Sequence, residues 1–174
     1  MKCEQCNSET SIGRKRYHYT ECGLDNVYLQ NCEVRICPSC GLESPRIPRI
    51  DELHAAIAQA ITLQKVPLSG KEARFLRKHL GLKAREWAKY LHIDVTTLSR
   101  WENEERSIGP QSDVLMRLTY CYLYFRKQGL PIHHDLVEAI KDIDMSIQAE
   151  IPALLVNPRY PSRYSYHPLS DLAA

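Results

Sequence analysis

Apolar positions alternate with polar ones in the first part of the chain and then recur every three or four residues from about residue 50, which predicts a short β segment followed by helices. Cys32, Val34 and Ile36 alternate with Glu33 and Arg35, and strands are expected over 12–20 and 27–36 with turn chemistry at Gly23 to Asn26. Ser44 to Arg49 contains Pro45 and Pro48 and reads as a stiff exit. Asp51 then looks like the N-cap of a helix reaching about Lys65, with Leu53, Ile57, Ala60, Ile61 and Gln64 on one face and Pro67 beyond its end.

From Ser69 the pattern is that of a compact helical domain. Ser69 with Glu72 forms a capping box, Ala73, Leu76 and Leu80 make the buried stripe, and Gly81 stops the first helix. A second helix should span Lys83 to Leu91 with Trp87, Ala88 and Leu91 inward. A third should run from Asp94 to about Glu104, with Val95, Leu98 and Trp101 facing the core at every third position. Ser112 or Asp113 should open a long fourth helix whose apolar face is Val114, Leu115, Leu118, Cys121, Tyr122 and Phe125, and a shorter one is expected at Asp135 to Asp144. Residues 146–174 carry Pro152, Pro158, Pro161 and Pro168 with Tyr160, Tyr164 and Tyr166, a composition that resists helix and reads as an extended tail. The run Ile151 to Val156 argues that this tail packs on its own body, another subunit or a partner. The resulting fold class is mainly α with a small N-terminal β module. Its parts are a metal-tied module at 1–48, a linker helix at 49–68, a helical domain at 69–130, and a short helix with an extended tail at 131–174.

The module's chemistry lies in two Cys-x-x-Cys pairs, Cys3/Cys6 and Cys37/Cys40. Two intervening residues let a tight turn bring both sulfurs to one edge of a tetrahedron, and four thiolates are the set structural Zn²⁺ prefers. The residue after each pair needs a left-handed backbone, which Gly41 adopts freely and Asn7 tolerates. With four thiolates bound no coordination position is left for a substrate, so one structural Zn²⁺ is expected and no catalysis. The competing reading is disulfides, which need an oxidising compartment. The knuckle begins at Met1-Lys2-Cys3 with no apolar leader before it, so a cytoplasmic location is expected. Cys22, Cys32 and His18 lie between the pairs and leave open a second or variant site, against ordinary buried cysteines; Cys121 reads as core. A module of some forty residues is too small to be stable by its core alone, so metal should supply much of its folding free energy.

Charge adds one point. The chain carries +2 overall, but residues 69–127 hold 12 Lys+Arg against 7 Asp+Glu. No apolar stretch approaches the roughly 20 residues needed to cross a bilayer. In the third helix Thr96, Thr97, Ser99, Arg100 and Asn103 are left on the solvent side, a set suited to a DNA major groove. Arg can bridge guanine O6 and N7, and Thr offers a hydroxyl and a methyl. Lys83, Arg85, Lys89 and Arg106 are placed to grip phosphates. The alternative is an ordinary solvated helical surface; the spacing of two short helices about a turn favours DNA.

At Gly81-Leu82, Glu86-Trp87-Ala88, Thr97-Leu98-Ser99-Arg100-Trp101-Glu102 and Pro110 the chain resembles the phage-repressor (Xre/Cro-like) helix-turn-helix family. Joined to the double Cys-x-x-Cys module it is similar, over about residues 1–127, to MqsA/YgiT-type zinc-finger antitoxins and regulators. The resemblance implies a phage-repressor-like bundle, zinc on Cys3, Cys6, Cys37 and Cys40, base reading by Thr96 and Arg100, a homodimer on a palindromic operator, and a cognate toxin bound by the zinc module. Better known members carry Asn where Thr96 stands, so a different operator is implied; Ala84 replaces a frequent Gln, and His92 and Glu104 replace common glycines. Two other functions stay open: a stand-alone zinc-containing regulator, or a protein-interaction module with incidental DNA binding.

Overall fold

A computed structural model of the chain describes residues 1–129 and 151–167, the latter stretch by backbone alone at residues 162, 163, 164 and 166. The helix expected at Asp135 to Asp144 lies outside these. The chain forms two compact units, one of Met1–Glu21, Asp25–Ile57 and Pro152–Ala174, the other of Cys22–Leu24 and Ala58–Ile151. The described residues contain five α-helices and a small mixed sheet.

The first unit is built on that sheet. Strands β1 (Ser11–His18) and β2 (Val27–Ile36) pair antiparallel, with a register shift between Lys15 and Tyr17 that leaves Asn31 at φ 52°. Strand β3 (Glu43–Arg46) pairs only with the second half of β2, from Glu33↔Arg46 to Ile36↔Glu43. The first half of β2 therefore keeps an open edge, and the end of the chain fills it. Strand β4 (Ala153–Asn157) runs parallel to β2 from Val27↔Leu154 to Leu29↔Val156, and β5 (Tyr160–His167) closes an antiparallel hairpin on β4. The Asn26 carboxamide donates to the Pro152 carbonyl at 2.9 Å, and the Leu154 N–H to the Asn26 carbonyl at 2.6 Å.

Of the alternatives left open for the tail, packing on its own body is the one seen: from Ala153 to His167 it adds two strands to the N-terminal module's sheet and is not a separate part of the chain. The physical reason is the apolar run itself. Ala153, Leu154, Leu155 and Val156 are all buried, the continuous pattern of a strand covered on both faces rather than the alternation of one with a wet face.

Helix α1 (Ile50–Leu63) follows β3. Its first turn is set by Leu53 N–H to the Arg49 carbonyl, so Asp51 sits inside the helix with Glu52, where carboxylates favour the positive end of the helix dipole, and not at the N-cap. The predicted inward face, Leu53, Ile57, Ala60, Ile61 and Gln64, is buried. The division between the two units falls within this helix.

In the second unit α2 (Gly70–His79) carries the expected Ser69–Glu72 capping box. Helices α3 (Ala84–Tyr90), α4 (Val95–Glu102) and α5 (Pro110–Gln128) follow. Helix α5 starts earlier than Ser112, because Pro110 has the fixed φ and missing N–H suited to a first helical position. Its buried face also differs from the one predicted. Asp113, Met116, Arg117, Tyr120 and Cys121 are buried, while Leu115, Leu118 and Tyr122 are exposed at 42%, 39% and 49%.

The reason is a charged residue that periodicity cannot place. Arg117 is fully buried, with Nε 2.5 Å from Asp113 Oδ1. Its Nη1 donates to the carbonyls of Ile61, Thr62 and Gln64 at 2.9, 3.1 and 3.0 Å, and Nη2 to that of Val66 at 2.7 Å. These are carbonyls at and just past the end of α1, left without helical partners, and a guanidinium on α5 caps them. The other Asp113 oxygen accepts the Leu68 N–H at 2.5 Å, and Gln64 Nε2 donates to the buried Glu72 at 3.1 Å. The linker between α1 and α2 is thereby fixed to both α2 and α5.

Arg117→Met should strand the Asp113 carboxylate and the α1 carbonyls in the core and destabilise this unit by about 3–5 kcal/mol. Urea unfolding followed by the fluorescence of Trp87 and Trp101 measures this; an unchanged midpoint would show that the buried pair is dispensable.

Candidate metal centre and nucleic-acid interface

The two knuckles are built alike. In the first, Asn7 N–H donates to the Cys3 carbonyl at 3.0 Å and Cys3 N–H to the Ser8 carbonyl at 2.9 Å; in the second, Gly41 donates to Cys37 and Cys37 to Leu42, both at 2.9 Å. Asn7 (φ 60°) and Gly41 (φ 73°) both take the left-handed conformation that the spacing requires. The result brings the four sulfurs within 4.8 Å of one another, with Cys3–Cys40 at 3.6 Å and Cys6–Cys37 at 3.4 Å. Ligands about 2.3 Å from a shared centre define a tetrahedron with edges of roughly 3.8 Å, so the cluster has the size of a four-thiolate metal site. The seven cysteines are free of disulfides.

Local hydrogen bonds favour the thiolate form in the first knuckle, whereas at Cys40 the Leu42 backbone hydrogen bond is outweighed by desolvation and the neighbouring cysteine sulfurs, which push that thiol up to about 12. Ser8, through its hydroxyl and then its backbone, holds the Cys6 thiol down at about 6, and the Cys6 and Gln5 backbone lowers that of Cys3. Cys3 and Cys37 are buried, Cys6 and Cys40 exposed. Among the described residues no other His, Cys, Asp and Glu side chains gather in this way. His18 instead meets the Asp25 carbonyl at 2.7 Å and stacks on Tyr28. Cys32 is buried against the Glu33 carbonyl, and burial raises its thiol.

In the helical unit the geometry centres on α4. Glu102, at its end, is 5% exposed and binds Arg77 bidentately, Nε–Oε1 at 2.6 Å and Nη2–Oε2 at 2.7 Å, while Arg74 Nε lies 3.3 Å from Oε2. Arg77 also donates to the Leu82 carbonyl at 3.0 Å, so one guanidinium ties α4 to α2 and to the turn before α3. A Cβ on Gly70 would overlap the Trp101 carbonyl; glycine is needed for this close approach of α2 to α4. Leu98 and Trp101 are buried, as are Trp87 and Ala88 of α3.

The helix ends repeat one device. Leu82, Ile93 and Glu105 N–H groups reach back to the Arg77, Ala88 and Arg100 carbonyls at 3.2, 3.1 and 2.9 Å, across left-handed residues Gly81, His92 and Glu104. His92 (φ 52°) and Glu104 (φ 61°) thus adopt the same left-handed conformation as Gly81, at a conformational cost that tertiary packing sustains.

Thr96, Ser99, Arg100 and Asn103 are exposed and Thr97 is half-buried; Lys83, Arg85, Lys89 and Arg106 are exposed. Their polar groups are committed unequally. Thr96 gives its N–H and its hydroxyl to Asp94 Oδ1, both at 2.7 Å. Asn103 accepts from Arg74 Nη2 at 2.5 Å and donates to Ser99 Oγ at 3.4 Å. Arg100 has no such contact among the described residues and is left as an uncommitted guanidinium on α4. Val95 corrects the predicted inward stripe: it is 36% exposed, because the first residue of a helix has no preceding turn to pack beneath. Sequence reading also missed the Glu102 clamp, although a carboxylate directly after an inward Trp was its available signal.

A family model described as Helix-turn-helix matches residues 74–112, from within α2 through α3 and α4 to the start of α5. Comparison with curated proteins and with solved structures returned no match. No described helix is long and apolar enough to cross a membrane. The match and the geometry of α3 and α4 together support a DNA-binding regulator that also carries four cysteines able to hold a metal ion.

Proposed function

We propose that this protein is a zinc-containing, sequence-specific transcriptional repressor of the MqsA/YgiT type: a cytoplasmic antitoxin that binds a palindromic operator as a homodimer, controls its own operon, and binds a toxin protein. The observation that carries the DNA reading is Arg100, a guanidinium without a partner among the described residues, on the exposed face of a helix whose placement is fixed by the largely buried Arg77–Glu102 pair. A guanidinium free of internal partners can bridge guanine O6 and N7. Lys83, Arg85, Lys89 and Arg106 supply phosphate contacts that orient the protein without selecting sequence.

Four thiolates leave zinc no open position, so the metal here is a fold determinant and the protein is not an enzyme. Pairing of such a module with a helix-turn-helix supports the antitoxin reading. The homodimer is supported by the apolar stripe Leu115, Leu118 and Tyr122, spaced three and four residues apart on the exposed face of α5.

Cobalt titration of metal-free protein should saturate at one equivalent with the visible bands of a tetrahedral thiolate complex, and zinc should displace it; Cys37→Ser should lose this stoichiometric binding. In duplex-binding assays Arg100→Ala should lose about 1–3 kcal/mol of discrimination between selected and random sequence, whereas Lys89→Ala should weaken both and lower the salt dependence by about one phosphate contact. Unchanged discrimination by the Arg100 variant would end the reading of α4 as the recognition helix. Leu118→Glu should shift sedimentation from dimer to monomer and weaken binding to a palindrome with half-sites roughly 34–36 Å apart.

A further inference from the structure

We infer that the first turn of α4 is a thymine reader, in which the Val95 isopropyl group and the Thr96 methyl pack on a thymine C5-methyl beside the base that Arg100 addresses. This rests on the DNA-reading function proposed above and specifies part of its target.

Polar bookkeeping within the turn makes the case. Asp94, the N-cap, accepts both the N–H and the hydroxyl of Thr96 through one carboxylate oxygen, each at 2.7 Å. The hydroxyl proton that could have gone to a base is therefore drawn back to the cap, which leaves Thr96 its methyl and an oxygen that can only accept. Val95 precedes it, 36% exposed and carrying no polar atom. The turn thus carries two exposed β-branched side chains, one of them wholly apolar and the other with its hydroxyl proton already committed. A lone exposed apolar residue would be unremarkable. Here it sits beside Thr96, and Thr96 lies one turn from Arg100 on the same exposed face. In the major groove the apolar feature among the natural base edges is the thymine C5-methyl, which side-chain carbons recognise by contact without a hydrogen bond.

The test uses the zinc-loaded full chain. Duplexes are selected from a random pool, the guanine whose preference disappears with Arg100→Ala is located, and each nearby thymine is replaced by deoxyuridine, which removes only the methyl. At one such position deoxyuridine should weaken wild-type binding by about fourfold, the worth of one buried methyl group. Val95→Ala, at an exposed site that should leave the fold intact, should weaken the thymine duplex by a similar factor and bring the thymine-to-uracil ratio towards one. Equal wild-type affinity for thymine and deoxyuridine at every position, with the Arg100-dependent guanine preference intact, would overturn the thymine reader and leave DNA reading standing. A full thymine-to-uracil ratio in Val95→Ala would remove Val95 from the contact and overturn the inference as drawn. A pool that yields no enriched sequence would overturn both it and the proposed function.

Discussion

A carboxylate buried at the end of a short helix has to be paired, and in this chain pairing Glu102 fixes the geometry of the helix-turn-helix. Eight residues of α4 bury too little surface to hold an orientation by packing alone. The bidentate grip of Arg77, with Arg74 beside it, adds directional bonds between α4 and α2, and the Gly70–Trp101 approach leaves no room for the helices to slide. Arg77 is held fully charged by the same pair, since hydrogen bonding to Glu102 raises its already high pKa. Once α4 is set in this way, its outer face becomes a rigid display, and which atoms it displays is decided by local hydrogen bonds such as that from Thr96 to Asp94.

Arg117 does the corresponding work at the other end of the helical unit. Carbonyls ending α1 would be costly to bury without donors, and a single guanidinium satisfies four of them while neutralising Asp113. Such a residue is expensive to desolvate, so its value lies in specifying one arrangement of α1, the linker and α5, with little net stabilisation over an apolar core. Turning that polar face inward is also what leaves Leu115, Leu118 and Tyr122 outside.

The sheet unit solves a different problem. Two cysteine knuckles with a few strands have little core, and two long-range devices compensate: a four-sulfur cluster that ties residue 3 to residue 40, and a parallel strand brought back from residue 153 to fill the open half of the β2 edge. Both knuckles use the same backbone bonds, across Asn7 in one and Gly41 in the other, so local turn geometry has a direct share in placing the four sulfurs.

Features bounded by short-range rules could be read from the residues alone: the Cys-x-x-Cys knuckles with their left-handed followers, the Ser69–Glu72 cap, the inward faces of α1 and of Leu98 and Trp101, and the exposure of Arg100. Each depends on neighbours within about four positions, where spacing and stereochemistry leave few choices. What the three-dimensional structure alone decided involves partners far apart in the chain. Periodicity assigned an apolar face to α5 without the buried Arg117, placed Val95 in the core although a first-turn residue has weak phase, and read an extended, packing tail without the open strand edge some 125 residues upstream that recruits it. A hydrophobic pattern states which residues prefer burial. Which of them obtain it depends on edges and unpaired polar groups that exist only once the rest of the chain has folded.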